Sequence, residues 1–210
     1  MCPTEYARGV VVRALGLDPA RVHVVPEAPA PVFSPRTPAA VAAVLRELRV
    51  SGTYLLACGS LERRKNPDGL VAALALLSAE SRPLLLFAGP SAGFDLVAEA
   101  ARCGVADRVR HLGLVSDETL AALYSGALAV LVCSRAEGFG LPVVEAWACG
   151  APVIASNTTA LPEVAGDAAL LVDPEDPSAI ARAITRMIDD STLRADLRAR
   201  GLARLAERYS

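Results

Sequence analysis

Lysine is nearly absent from this chain: its 210 residues hold 21 basic side chains, of which Lys65 is the one lysine and the other twenty are arginine. There is no excess of positive charge either. The formal net charge is −2, which excludes a protein that binds nucleic acid by neutralising a row of phosphates. Long apolar runs are missing, the longest being the eight residues 70–77, against about 20 for a bilayer span. The opening Met1-Cys-Pro-Thr-Glu-Tyr6 lacks the basic region and apolar stretch of a secretory leader, so the expectation is a soluble, cytoplasmic chain. The five cysteines, at 2, 58, 103, 133 and 149, form no Cys-x-x-Cys pair and read as reduced, mostly buried thiols. His23 and His111 each lie in an apolar alternation with no second ligand nearby in sequence, which argues against a metal centre. Aromatic residues make up only 4%, but 53% of the chain is hydrophobic, which excludes a disordered polypeptide.

What is present is a steady alternation. Strand-like apolar runs occupy residues 22–25, 54–58, 84–88, 109–112, 129–133, 153–155 and 169–172, and helical patterns fall at 38–49, 66–79, 93–103, 117–125, 142–149 and 177–188. Continuously apolar strands separated by helices predict a parallel sheet covered on both faces, an α/β fold of the doubly wound, Rossmann-like kind. Ser116 before Asp117 and Glu118 reads as a helix N-cap, Gly104 and Gly150 as C-terminal caps, and Asp176-Pro177 as a helix start. The prolines at 26, 29, 31, 35 and 38 predict an extended linker.

Doubly wound sheets bind ligands beyond the carboxyl ends of their strands. Two such loops carry chemistry. One follows residues 129–133 and contains Glu137-Gly-Phe-Gly-Leu-Pro-Val-Val-Glu145. Its glycines permit close backbone approach, Pro142 suits a first helical turn, and the free N–H groups of that turn suit an anion such as a diphosphate. Glu137 and Glu145 accept hydrogen bonds only, so they suit neutral sugar hydroxyls rather than phosphate. The facing loop, Gly59-Ser-Leu-Glu-Arg-Arg-Lys-Asn66, supplies counter-charge in Arg64 and Lys65, the latter a compact point charge in a chain that otherwise uses arginine.

The glutamate-bearing segment resembles the Glu-x7-Glu motif of retaining GT-B glycosyltransferases of family 4. Gly59 to Asn66, Gly150-Ala-Pro-Val-Ile-Ala-Ser-Asn157, Leu161-Pro-Glu-Val-Ala-Gly-Asp-Ala-Ala169 and Val172-Asp-Pro174 are similar to that family in order and spacing. The resemblance implies that Lys65 binds the diphosphate of a UDP- or GDP-linked sugar near Gly59. Arg64 substitutes for an arginine that family members often carry where this chain has Ser60. It implies Glu137 on the transferred sugar and Glu145 on the ribose diol. It further implies the N–H groups of Phe139, Gly140 and Leu141 on the distal phosphate, and Gly113, Val115 and Asp117 along the nucleobase. Like the resembling enzymes, the chain has no Asp-x-Asp, and neither metal nor cofactor is implied.

The same resemblance divides the chain into an inter-domain segment and linker, 1–37, and a donor-binding domain, 38–210, with an N-terminal acceptor domain absent. The function implied is the donor half of an enzyme that glycosylates a sugar or lipid-linked acceptor, weak or inactive alone. The alternative is a non-catalytic nucleotide-sugar-binding or interaction subunit that needs an acceptor-domain partner. Residues 182–208 hold seven arginines against four acids, a candidate for peripheral contact with the inner face of an anionic membrane, although the interspersed acids favour a solvated helical face.

Overall fold

The computed structural model describes residues 1–209. Six parallel strands form one sheet: β1 (Tyr54–Cys58), β2 (Leu84–Ala88), β3 (Val109–Gly113), β4 (Ala129–Val132), β5 (Val153–Ser156) and β6 (Leu170–Val172). Their order is β3-β2-β1-β4-β5-β6, so the winding direction reverses between β1 and β4. This is the doubly wound arrangement expected from the alternation of apolar runs and helical patterns.

Helices α1 (Glu5–Leu15), α2 (Pro38–Glu47), α3 (Pro67–Ala75), α4 (Leu96–Arg102) and α5 (Asp117–Gly126) precede β4. Helices α6 (Leu141–Ala148), α7 (Leu161–Ala165), α8 (Pro177–Asp189) and α9 (Ser191–Arg208) follow it. Alternate strand residues feed two cores. Leu56, Val130, Val132, Val153 and Ala155 meet α2, α5 and α6 on one face, while Leu55, Ala57, Leu85, Leu131 and Ile154 meet α3, α4 and α8 on the other. Such double burial explains why β1, β4 and β5 read as unbroken apolar runs.

One sequence expectation changes, and two regions gain detail that the residues did not show. Residues 22–25 form no strand of the sheet: Val24 makes a single parallel bridge to Cys2, with Cys2 N donating to His23 O at 2.9 Å and Val25 N to Cys2 O at 2.9 Å. The pairing goes no further because Thr4, two residues after Cys2, caps a helix and turns the chain away. The segment 1–37 also contains α1, capped by the Thr4 hydroxyl at its start and by left-handed Gly16 at its end. The Glu163 carboxylate, from α7, accepts from the N–H groups of Glu5 and Tyr6 at 2.9 and 3.0 Å and moors that helix to the domain. Finally, the arginine-rich end is two helices, α8 and α9, broken where Asp190 caps the second. The caps foreseen at Ser116, Gly104, Gly150 and Asp176 are all in place.

Helix α9 packs directly on α6. Its Gly201 is buried against the face of Trp147, which is only 1% exposed, and a Cβ at 201 would overlap the indole, reaching 2.7 Å from Nε1. Glycine to alanine inside a solvent-facing helix ordinarily stabilises by about 1 kcal/mol. Here the overlap reverses the sign, because overpacking a filled site costs about 1–3 kcal/mol. Gly201→Ala is therefore expected to lower the melting temperature by about 2–8 °C, and a thermal melt showing an increase would contradict the packing.

Candidate functional site

The loops after β1 and β4 meet at the reversal point because a few side chains bind them together. Asn66 is fully buried and left-handed (φ 61°), a conformation asparagine tolerates better than most residues. Its amide nitrogen donates to Cys133 O at 3.0 Å and Pro174 O at 2.8 Å, while its oxygen caps α3 by accepting from Gly69 N at 3.2 Å. Arg135 N donates to Arg64 O at 2.8 Å, and the Arg135 guanidinium reaches Arg63 O at 2.7 Å. The same guanidinium takes both oxygens of Asp68 at 2.9 and 3.0 Å, and Glu175 at 2.8 Å.

That splice brings Lys65 and Arg64 onto Glu137. Lys65 Nζ lies 2.6 Å from Glu137 Oε1 and an Arg64 guanidinium nitrogen 3.2 Å from Oε2, with the Glu137 side chain only 9% exposed. Arg64 also donates to Ala136 O at 3.0 Å and to Glu62 at 2.7 Å, and Glu62 in turn accepts from Ser60 Oγ at 2.9 Å. Ser60 thus spends its hydroxyl inside its own loop. The Glu137 backbone is pinned separately: its N–H donates to Thr159 Oγ1 at 3.1 Å, and Thr159 sits at φ 56°, a strained conformation for a β-branched residue.

Beyond Glu137 the glycine loop turns into α6. Gly140 has φ 109°, and a Cβ there would come within 2.6 Å of the Leu161 side chain, so the turn admits no larger residue without displacement. Among the described residues no acceptor meets the N–H groups of Phe139, Gly140 and Leu141, which lie together at the positive end of α6. Phe139 contributes through its backbone alone, because its ring is buried edge-on against Tyr209 with centroids 5.6 Å apart. A cleft of about 340 Å³ opens here, lined by Lys65, Glu137 and the loop from Gly138 to Pro142, with Pro3 and Glu27 on its far wall. Thr4 Oγ1 holds that wall in place by donating to Gly138 O at 2.8 Å. A larger hollow of about 530 Å³ beside α4 is lined by Arg63, Phe94, Asp95, Glu99 and Arg102, but Arg102 is already paired with Glu99 and nothing there converges on a ligand.

The remaining expected residues fall around the same edge of the sheet. Gly59 follows β1 directly, its N–H donating to Ala88 O at 2.9 Å. Glu145 lies one turn into α6, where its Oε2 accepts from the Tyr124 hydroxyl at 2.9 Å. Burial holds the Glu145 carboxyl above the ordinary glutamate range; the Tyr124 bond opposes that shift, the Asp117 charge adds to it and Lys65 opposes it. Asp117, at the start of α5, is thereby placed within electrostatic reach of Glu145. Gly113 ends β3 and gives its carbonyl to Gly89 N at 2.8 Å, while Val115 is half-buried against the core. Asn66, Arg135, Thr159, Tyr124, Pro3 and Thr4 also build the site. Of these, only Asn66, before Pro67, and Thr4, before Glu5, carry a local signal, that of a helix cap.

The sequence profile of the glycosyl transferases group 1 family matches residues 47–204. The chain belongs to this family. It is 37% identical over 212 residues to the O-antigen chain mannosyltransferase B of Escherichia coli, an alignment covering 99% of this chain and 55% of that protein. It is also 37% identical over 229 residues to the D-inositol 3-phosphate glycosyltransferase of Salinispora tropica, covering 99% of this chain and 47% of the other. The group 1 domain described here spans about half the length of the curated relatives it matches. Among solved structures it superposes on Anabaena Alr3699/HepE in complex with UDP and glucose with a TM-score of 0.90 at 20% identity, covering 100% of this chain and 58% of that one. The C-terminal domain of the group 1 protein LpcC of Francisella tularensis superposes with a TM-score of 0.73 at 23% identity, covering 85% of this chain and 96% of that one. These likenesses are to the fold, which is that of GT-B glycosyltransferases.

Holding Glu145 ionised in a half-buried setting has a cost to the empty domain. A carboxyl whose folded pKa lies above its unfolded value of 4.5 destabilises the fold once ionised, fully so above the folded pKa, and the penalty fades as the pH falls to 4.5 and below. Glu145→Gln is expected to raise the melting temperature at pH 7 by about 1–3 °C and to leave it unchanged near pH 4. Paired melts at the two pH values check the sign.

Proposed function

We propose that this domain is the donor-binding half of a retaining, metal-independent glycosyltransferase of the hexosyl-transferring kind. It binds a UDP- or GDP-linked sugar and passes the sugar to an acceptor hydroxyl. On this reading residues 38–210 hold the donor, 1–37 are the inter-domain segment, and a separate domain binds the acceptor. The observation that carries it is the convergence, in one cleft, of Lys65 with three N–H groups at the start of α6 that have no acceptor among the described residues, while Arg64 reaches the same Glu137 from beside the cleft. A diphosphate is the ligand class whose two charged groups use both features together. The relatives support the same class: one is named a mannosyltransferase, and the HepE complexes contain UDP, glucose or UDP-glucose.

The residues divide the work as follows. As the bond between sugar and diphosphate breaks, negative charge accumulates on the departing phosphate. Lys65, Arg64 and the N–H groups of Phe139, Gly140 and Leu141 stabilise that charge without having to reorganise. Glu137 faces the transferred sugar, and its carboxylate accepts from sugar hydroxyls. Glu145, deeper in α6, accepts from the ribose, while Gly113, Val115 and Asp117 border the base and Gly59 and Ser60 border the phosphates. Retention follows from attack on the face the diphosphate leaves. The two glutamates have different tasks, unlike a glycosidase pair astride one bond.

In the empty domain Glu137 occupies both cations, so the diphosphate must share or displace it. Titration calorimetry of the chain with UDP, GDP and their sugars tests the reading, and a folded chain that binds none of them refutes it. Lys65→Ala is expected to weaken nucleoside diphosphate by about tenfold to a hundredfold while sparing the nucleoside; equal losses would contradict the assignment. Glu137→Gln is expected to tighten free nucleoside diphosphate by about threefold or more at low salt, because it removes the competing anion, and to weaken discrimination among sugars. A looser diphosphate complex would show that Glu137 does not compete.

A further inference from the structure

Tyr124 is the residue of this edge that neither the motif nor the ligand chemistry accounts for. It is completely buried on α5, with its ring edge-on to Phe33 at a centroid distance of 5.9 Å, and its hydroxyl is aimed at the ligand-facing side of α6. There it meets two groups from two other elements: Glu145 Oε2 of α6 at 2.9 Å and Cys58 Sγ at the end of β1 at 2.7 Å.

The protons of this chain can be placed. A phenol carries one proton and an ionised carboxylate carries none, so Tyr124 donates to Glu145 and its oxygen accepts from the Cys58 S–H. Both donors keep their protons: burial pushes the Cys58 thiol up to about 12 and raises the Tyr124 hydroxyl well above its ordinary value. The other Glu145 oxygen, Oε1, has no protein partner among the described residues. One oxygen is thus tied to the core and one is left for a ligand.

We propose that Tyr124 is a positioning residue for Glu145: it holds one carboxylate oxygen so that the other meets the ribose, and discrimination between ribo- and 2′-deoxyribonucleotides therefore depends on a side chain that never touches the nucleotide. A glutamate has three rotatable bonds, and immobilising a free one on binding costs about 1.5–2 kcal/mol of rotamer entropy. With Tyr124 in place that ordering is already met in the empty site, which is preorganisation. The inference rests on Glu145 as the ribose ligand proposed above.

The test measures UDP and GDP against their 2′-deoxy analogues by calorimetry on the unmodified chain, Glu145→Gln and Tyr124→Phe. The phenylalanine keeps the ring and its contact with Phe33 and removes only the hydroxyl. Expected is a fall of about fivefold or more in the ribo-to-deoxy affinity ratio in both variants, with the deoxy analogue's own affinity nearly unchanged in Tyr124→Phe. A ratio unmoved by Glu145→Gln overturns the ribose reading and the inference with it. A ratio moved by Glu145→Gln but not by Tyr124→Phe overturns the positioning role alone.

A pH profile supplies a readout that a purely structural role would not shift. Around Glu145 stand Tyr124 and Asp117 of α5, Lys65 of the loop after β1, Cys58 of β1 and Cys149 one turn along α6. Loss of the Tyr124 donor removes a group that favours the ionised carboxylate, so the acid limb of ribonucleotide binding moves to higher pH in Tyr124→Phe. An unmoved limb counts against the proposal. In the chain with Tyr124 intact, the NMR signals of the buried Tyr124 ring and its hydrogen-bonded hydroxyl are expected to shift on Glu145→Gln. A signal indifferent to that change overturns the contact whether or not the phenylalanine variant folds.

Discussion

The buried amide of Asn66 holds the cleft together. With no exposed surface of its own, it ties the loop after β1 to the carbonyls at the end of β4 and beyond β6, and it caps α3 from the same position. Each of these groups would otherwise be a buried polar atom without a partner, a penalty of about 1–3 kcal/mol apiece. Satisfying them at one amide forces three chain segments into a single register. The geometry of Lys65, one residue earlier, follows from that register, and Arg135 repeats the same function through Asp68, Glu175 and two backbone carbonyls.

The charges of the cleft are arranged around competition. Two cations face one largely buried carboxylate and Arg64 also pairs with Glu62, so the empty site is close to locally neutral and its strongest donors are engaged. Closely paired groups of this kind stay folded and ordered without a ligand. They also make the resting site a poor trap for stray anions, since a ligand must offer more than a single negative charge to compete with Glu137. On the proposed reading, a ligand that brings a diphosphate for the cations and hydroxyls for the carboxylate satisfies both sides together, and leaves its remaining phosphate oxygens to the N–H groups at the start of α6.

Much of this was legible in the residues themselves. β1 and β2 matched their apolar runs and β4 and β5 differed by one residue at an end, because doubly buried strands leave an unbroken signature. The pairing of a glycine loop with a facing cation loop followed from the rule that ligands gather beyond the carboxyl ends of parallel strands. Helix α1 escaped because Gly9 and the β-branched run Val10-Val11-Val12 disfavour helix locally, and its evidence lies in its caps, Thr4 and Gly16. The run 22–25 misled because local β preference cannot show that its neighbour at Cys2 turns into helix α1 within three residues and leaves a single bridge. Tyr124 and Thr159 carry no local sign of their roles, nor Thr4 of its hold on Gly138: their partners lie 21, 22 and 134 residues away.

By itself the sequence determined the six strands of the sheet and most of its helices, the alternation that makes the sheet parallel, and the family motif with its lone lysine. These are local properties, set by periodicity, caps and residue type. Only the tertiary structure decided that Lys65 and Arg64 rest on Glu137, that Ser60 turns back onto Glu62, that Phe139 faces inward, and that Tyr124 joins Cys58 to Glu145. The reason is physical. A hydrogen bond or ion pair forms between groups that the fold brings within about 3 Å, and in this domain the decisive pairs come from different strands and helices that only the reversal of the sheet between β1 and β4 places side by side.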